Sequence, residues 1–357
     1  MQLIPDWAPN IHPMIIHFPL VLLIVAVLFD ALGLIIKKSK QTAGISWLEK
    51  PALVLYLFGT MTLIAAFLTG RSAEDGLNIP SHVIPALTDH ADWAEITLWF
   101  FIVYTVIRFA AVFIFSSKRL IVLPLVLIGF VGIYFLYQTG DKGAKLVFGY
   151  GLGTGNLMTE LVEDTDVQTS ETLPDTSFII NPDGSWTFIA SPAAIEILRN
   201  KFDWVKNSID ELSPMFDESN NALMFHPSDE VMFIQKSDIK SIEMKTAVNL
   251  NDFNGELKLV HHYLNNDNYD FLRIQNGKIA LGRKSKGQIR IFEEGIFSDK
   301  GWIEIRTISD KTHFRGYINN KMIVHGHGRE PETGSAGMLI NGSGSLLLRN
   351  FEVIPLR

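Results

Sequence analysis

Four apolar runs in the first 150 residues decide most of what this chain can fold into. They lie at residues 14–36, 52–70, 96–115 and 120–138. Each is about 19–23 residues long, enough to cross a hydrocarbon core of ~30 Å at 1.5 Å per residue. Lipid offers no hydrogen-bond partner to a backbone, so each run is expected to be a transmembrane helix. Trp7, Trp47, Trp93 and Trp99 fall near the run ends, where aromatic belts form. The leader, residues 1–13, contains Asp6 but no Lys or Arg, and no small-residue cleavage site follows. The first run is therefore expected to be retained, not removed as a secretion signal.

The rest of the chain differs in kind. Over all 357 residues, 47% are apolar and 19% charged, with a mean hydropathy of +0.19. Residues 1–150 hold 10 Lys/Arg and 9 Asp/Glu, against 21 and 29 in residues 151–357, so the net charge of −7 arises from the second half, at −8, with the first at +1. With no cysteine, disulfides, thiolate metal sites and thiol nucleophiles are excluded. No basic stripe offsets the acidity, which argues against a nucleic-acid partner.

Loop charge predicts orientation. Lys37, Lys38, Lys40 and Lys50 lie between the first two runs, and Lys118 and Arg119 between the last two. The middle loop holds Asp75, Asp89, Asp92 and Glu95 against Arg71. The positive-inside rule puts the basic loops in the cytoplasm, and four membrane helices without cysteine fit a bacterial inner membrane. Both termini and residues 154–357 are then periplasmic. Asp30 and Arg108 fall inside runs, equally far along the chain from an outer marker, His17 and Glu95 respectively. At ~20 Å of depth each, they are expected to form an intramembrane ion pair instead of snorkelling separately.

The membrane half contains four histidines, His12, His17, His82 and His90, all on the expected outer side. Neutral imidazole is a common ligand of metals and haem iron, and bundle interiors often hold such cofactors. The four are candidate cofactor-binding residues, for haem b or a related redox group with an electron-transfer partner. By position, His17 and His90 are the favoured pair, with His82 and His90 in the loop entering the third helix. The alternative is structural: His12 before Pro13 and His17 before Pro19 organise helix starts.

The stretch NIHPMIIHFPLVLL at residues 10–23 resembles the opening of the DUF2231 family of bacterial membrane proteins. The likeness continues through Phe67-Leu-Thr-Gly70, His90-Ala-Asp-Trp-Ala94 and GAKLVFGYGLG at residues 143–153. Members commonly have a histidine where this chain has Tyr150. The resemblance implies association with haem-protein modules and no fixed activity.

Residues 154–177 are acidic and rich in Thr and Ser, which predicts a flexible tether between domains 1–153 and 178–357. From Phe178 onward, alternating segments broken by Gly, Asn and Asp predict an antiparallel sandwich of nine or more strands. The segments are residues 241–248, 256–263, 269–275, 288–293, 302–308, 313–318, 322–325, 337–340 and 346–353. Asn276-Gly277 and Asn319-Asn320 read as hairpin turns, and residues 192–202 as one helix. The run Trp302-Ile-Glu-Ile-Arg306, the run Phe314–Lys321, Gly334-Ser-Ala-Gly-Met-Leu-Ile340 and the closing Phe351-Glu-Val-Ile-Pro355 resemble the concanavalin A-like lectin/glucanase jelly roll, including laminin-G and 3-keto-disaccharide hydrolase-like domains. The expected fold is thus multi-domain, a four-helix transmembrane bundle followed by an antiparallel β-sandwich.

Glucanases of this fold carry acids as E-x-D-x-x-E, which is absent here, and Glu293-Glu294 would point to opposite faces of a strand. No catalytic residue is therefore assigned. His325 and His327 share a face if that segment is a strand, and His261 and His262 do not. For His325 and His327, surface hydrogen bonding is the expectation and a bound metal the alternative. Trp186, Trp204 and Tyr317 are candidates for stacking on sugar rings, though each such ring is more often a core residue. Three functions stay open: a haem-carrying bundle with an exported lectin-like recognition domain, a non-enzymatic anchor for a glycan- or protein-binding sandwich, and a tethered sugar hydrolase.

Overall fold

The computed structural model describes residues 10–36, 48–75, 79–114, 119–154 and 177–356. Trp7, Trp47, Lys37, Lys38, Lys40, Lys118 and all of the expected tether except its two end residues lie outside the described residues. The chain forms two compact units, one helical and one β-rich.

The helical unit comprises α1 (His12–Ile15), α2 (His17–Ile36), α3 (Glu49–Asp75), α4 (Ile84–Phe113) and α5 (Arg119–Ala144), closed by a π turn at Lys145–Gly149. Four spans are long and apolar enough to cross a membrane, with α1 and α2 together making the first. The helices outrun the apolar segments that predict them. α4 starts at Ile84, not near residue 96, and α5 continues past Gln138 to Ala144. Ala86, Leu87, Ala91 and Ala94 are strong helix formers, and Pro85 is tolerated in a first turn, so the helix persists beyond the hydrophobic stretch. His90, Asp89 and Asp92 therefore stand on a helix and not in the expected loop. Leu23, Val27, Tyr56, Leu63, Phe101, Tyr104 and Leu136 form the bundle core. Phe18, Val21, Val106, Phe113 and Leu127 face outward, as a lipid-facing surface requires.

The β-rich unit is a two-sheet antiparallel sandwich. One sheet runs in the order β1 (Phe178–Ile180), β2 (Trp186–Ile189), β16 (Leu346–Pro355), β7 (Ile242–Asn249), β12 (Trp302–Asp310), β13 (His313–Ile318), β14 (Lys321–His327). A hairpin of β4 (Met215–Asp217) and β5 (Ala222–Phe225) joins it through β16. The other sheet runs β11 (Gln288–Ile296), β10 (Lys278–Ser285), β9 (Asn268–Gln275), β8 (Phe253–Asn265), β15 (Gly334–Gly344), β6 (Val231–Ile239), β3 (Asp203–Lys206). A short helix, α6 (Ala194–Lys201), packs Leu198 onto the shared core. All nine expected segments are strands. β6 and β10 escape the alternation rule because each contains four successive buried residues. The hairpin residues Asn276, Gly277, Asn319 and Asn320 have φ of 50°, 75°, 48° and 64°, the left-handed values of a type I′ turn.

Inside the bundle, Arg108 of α4 donates to Asp30 of α2 through Nε at 2.8 Å and Nη2 at 2.6 Å, a two-pronged pair. Both side chains are sealed off, at 0% and 2% exposure. Tyr56 of α3 donates to the same carboxylate at 3.0 Å, and Tyr104 donates to the Leu125 carbonyl of α5 at 2.9 Å. These contacts tie all four long helices together at one level. Removing one partner of a buried pair strands the other charge, at about 3–5 kcal/mol. Arg108→Leu is thus expected to lower the detergent unfolding midpoint far more than the double variant Asp30→Leu/Arg108→Leu. Equal losses in the two variants, read in a double-mutant cycle, would contradict a coupled pair.

Candidate functional site

At the opposite end of the bundle, His12 and His90 are held in matching ways. His12 Nδ1 lies 2.9 Å from the Ala66 carbonyl of α3 and 3.3 Å from Thr69 Oγ1. His90 Nδ1 lies 3.1 Å from the Thr139 carbonyl of α5. A carbonyl only accepts, so each Nδ1 carries the proton and each Nε2 keeps its lone pair. One helical turn beyond each carbonyl stands a glycine. A Cβ on Gly70 would sit 3.1 Å from His12 Cε1, and one on Gly143 would sit 3.0 Å from His90 Cε1. Each imidazole thus lies close against a glycine, where an added side chain would push the ring by a few tenths of an ångström. Gly140, by contrast, has open space around it. Thr139 is itself fixed by Thr97 Oγ1 at 2.8 Å. His12 and Glu74 are near enough to His90 to interact with it electrostatically.

The two anchors form a repeat. The interval from His12 to Asp30 equals the interval from His90 to Arg108. At 1.5 Å per residue the imidazole level and the ion-pair level are about 27 Å apart, close to a hydrocarbon thickness. His12, on α1, is tied to α3, and His90, on α4, is tied to α5. This spacing could have been read from the sequence.

His17, expected to partner His90, is exposed on α2. Its offset from His12 turns it about 140° around a helix. A turn residue at Ile16 also separates α1 from α2. His82 stands in the 3-10 turn Ser81–Val83 ahead of α4.

The sandwich holds a second polar cluster. His261 and His262 are expected on opposite faces of β8, yet their Nδ1 atoms are 2.9 Å apart. The register slips here, with His261 and His262 passing Ala336, and His262 takes φ +50°. This bulge brings the second ring round to the first. His262 also meets Asp270 at 3.2 Å and the Lys240 carbonyl at 2.9 Å. Asp270 takes two bonds from Arg283, one of 2.9 Å through Nη2 and a shorter one through Nε. Burial alone would raise the Asp270 pKa, but Arg283 and His262 outweigh it and hold the carboxyl below its ordinary range. Burial first, then His262, pushes His261 down to about 3. The cluster is fully enclosed and reads as a structural polar core.

The candidate sugar-stacking aromatics form no platform, in keeping with the commoner core placement of such rings. Trp186 and Tyr317 are 1% and 2% exposed. Trp204 is half-buried, with Nε1 donating to the Leu198 carbonyl at 3.1 Å. Each large ring is more stabilising in the core than in water. Glu294 is engaged by Arg273 and Lys278, at 3.2 and 3.3 Å.

Residues 8–156, less than half of the chain, match the family described as "Predicted membrane protein (DUF2231)". The β-sandwich is similar to solved structures of lectin and glucanase type. A carbohydrate binding module, CBM66 from Bacillus subtilis, has 8% identity and a TM-score of 0.35, covering 42% of this chain and 94% of its own. A protein of unknown function with a galectin-like fold from Bacillus subtilis has 13% identity and a TM-score of 0.36, covering 47% and 94%. A Bacillus licheniformis β-glucanase has 9% identity and a TM-score of 0.33, covering 44% and 92%. No curated protein matches the chain.

The sandwich cluster predicts an acid response. Unfolded, His261 takes a proton near its ordinary 6.5, whereas in the fold it waits until about 3. Its contribution to stability is complete above pH 6.5 and is lost as pH falls toward 3. Asp270, also depressed, adds to the loss at lower pH. His261→Phe is expected to flatten the fall of the sandwich unfolding free energy between about pH 6 and 4 by up to about 1.4 kcal/mol per pH unit. Tryptophan fluorescence of the full chain reads this, and parallel wild-type and variant curves would contradict it.

Proposed function

We propose that the helical unit binds a b-type haem between His12 and His90 and that the chain is a membrane redox protein bearing an exported recognition domain. The observation that carries this reading is the twin anchoring of the two imidazoles. Metal-bound histidines characteristically donate their second ring nitrogen to a carbonyl or carboxylate, which fixes the tautomer and the ring direction. Both residues meet that requirement, from α1 and α4, at one end of the bundle. A haem held there supplies a one-electron couple. The protein's part is to hold each Nε2 lone pair in place, to exclude water with the helices around it, and to keep Gly70 and Gly143 bare beneath the rings.

The orientation of the membrane half is part of the same proposal. Lys50 and Arg119 stand in the first turns of α3 and α5, the ends remote from Ala66 and Thr139. Basic residues favour the cytoplasmic side, which puts the histidine end outside, in the periplasm.

The β-sandwich is proposed as a glycan- or protein-binding module. What supports this is the face of β8 and β9, where charged side chains lie over an aromatic floor. Lys258 Nζ sits 5.0 Å above the Phe271 ring and is paired with Glu256 at 2.6 Å. Arg273 lies within 3.9 Å of the same Glu256.

Absorption spectra of the full chain, expressed with haem supply and purified in detergent, test the cofactor. A Soret band with sharp bands after dithionite is expected. His12→Ala and His90→Ala should each lower haem content roughly tenfold or more, as should Gly143→Val, while His17→Ala and Gly140→Ala leave it intact. A featureless spectrum from folded protein, or one lost equally with His17→Ala, would overturn the assignment.

A further inference from the structure

The β12–β13–β14 hairpins bring three histidines together that are scattered in the sequence. β13 begins at His313 and β14 ends at His327, and the register sets His313 opposite His327 and Arg315 opposite His325. Residues 325 and 327 share a face by strand alternation, and His313 is their cross-strand neighbour. One ring nitrogen from each of the three lies within 4.8 Å of the others. Their ring centroids are 4.6, 5.0 and 5.4 Å apart. His313 Nδ1 and His325 Nε2 are separated by 3.1 Å.

We propose that His313, His325 and His327 form a binding site for a divalent first-row transition ion, with Zn2+ the best fit. Tetrahedral coordination at Zn–N distances of about 2.0–2.1 Å separates neighbouring nitrogens by about 3.3–3.4 Å. The His313–His325 pair is already within a few tenths of an ångström of that value. Imidazole is the ligand type that suits zinc, copper and nickel, whereas Mg2+ and Ca2+ prefer oxygen. Three imidazoles are one donor short of a closed structural site, so the ion keeps a position for water or for an oxygen of a bound molecule.

A carboxylate stands where outer support is needed. Asp310 ends β12 directly across the ladder from His313. It is 3% exposed; one oxygen accepts from Ser241 Oγ at 2.7 Å, and the other is buried with no hydrogen-bond partner among the described residues. A carboxylate beside a ligating histidine raises its basicity and fixes its ring. His325 is half-buried and His327 exposed, so an ion from solution can reach the site. This site is independent of the haem proposal, since none of its residues belongs to the helical unit.

The test is Zn2+ binding by the full-length protein in detergent, stripped with a chelator and titrated against a chromophoric competitor. It is repeated in a His12→Ala/His90→Ala background so that helical histidines do not contribute. One equivalent is expected, with Co2+ substitution giving the visible band of a near-tetrahedral ion. His313→Ala, His325→Ala and His327→Ala should each abolish it. Asp310→Asn should weaken it about 10–100-fold, and the exposed His226→Ala should change nothing. His327→Ala removes a solvent-facing side chain, so a loss of zinc with unchanged circular dichroism separates ligation from folding. Absence of Zn2+ binding, or an equivalent that survives removal of all three histidines, would overturn the site.

Discussion

A bilayer interior supplies no water, so every polar group placed there needs a partner within the protein. The Asp30–Arg108 pair is the point where this constraint is most severe. A lone charge at that depth is expensive on any scale, and here it is met by two short bonds, with Tyr56 as a third partner. Because the pair joins α2 to α4, and the tyrosines extend it to α3 and α5, the relative depth of all four helices follows from it. Packing of Leu23, Phe101 and Leu136 fills the space between levels but does not by itself fix the register.

The same constraint acts at the other end, with another outcome. His12 and His90 each satisfy one nitrogen on a neighbouring backbone, and the other nitrogen keeps its lone pair. Pairing thus uses the carboxylate at the ion-pair end, whereas the imidazole end keeps a lone pair on each Nε2. Both histidines precede their charged partners by the same interval, so the two levels lie the same number of residues apart in both segments. In the sandwich, burial is resolved by cross-strand rows: Arg283, Asp270 and the bulged His261–His262 in one sheet, and Glu243 with Arg306 at 2.7 Å in the other.

Much of the architecture was legible in the sequence, because hydropathy and alternation report burial directly. The four runs give four spans, Asp30 and Arg108 match in depth by counting alone, and the Asn-rich dipeptides mark hairpins. What escaped is what depends on phase or register. His12 and His17 have equal chemical claims, and only their different directions around the helix axis and the break at Ile16 separate them. His90 sits on helix beyond its apolar run, where hydropathy is silent. His325 and His327 share a face by spacing, but His313 joins them only through pairing of β13 with β14. His262 reverses its side because a bulge, invisible to strict alternation, intervenes.

The central claim is that His12 and His90 together hold a haem. Electron paramagnetic resonance of the oxidised, haem-loaded full chain tests it most directly, since the spin state reports the number and type of axial ligands. A six-coordinate low-spin ferric signal of the bis-histidine kind is expected, converted to high spin when either His12 or His90 is replaced by alanine. A high-spin signal in the unaltered protein, or a low-spin signal that persists without both histidines, would contradict it.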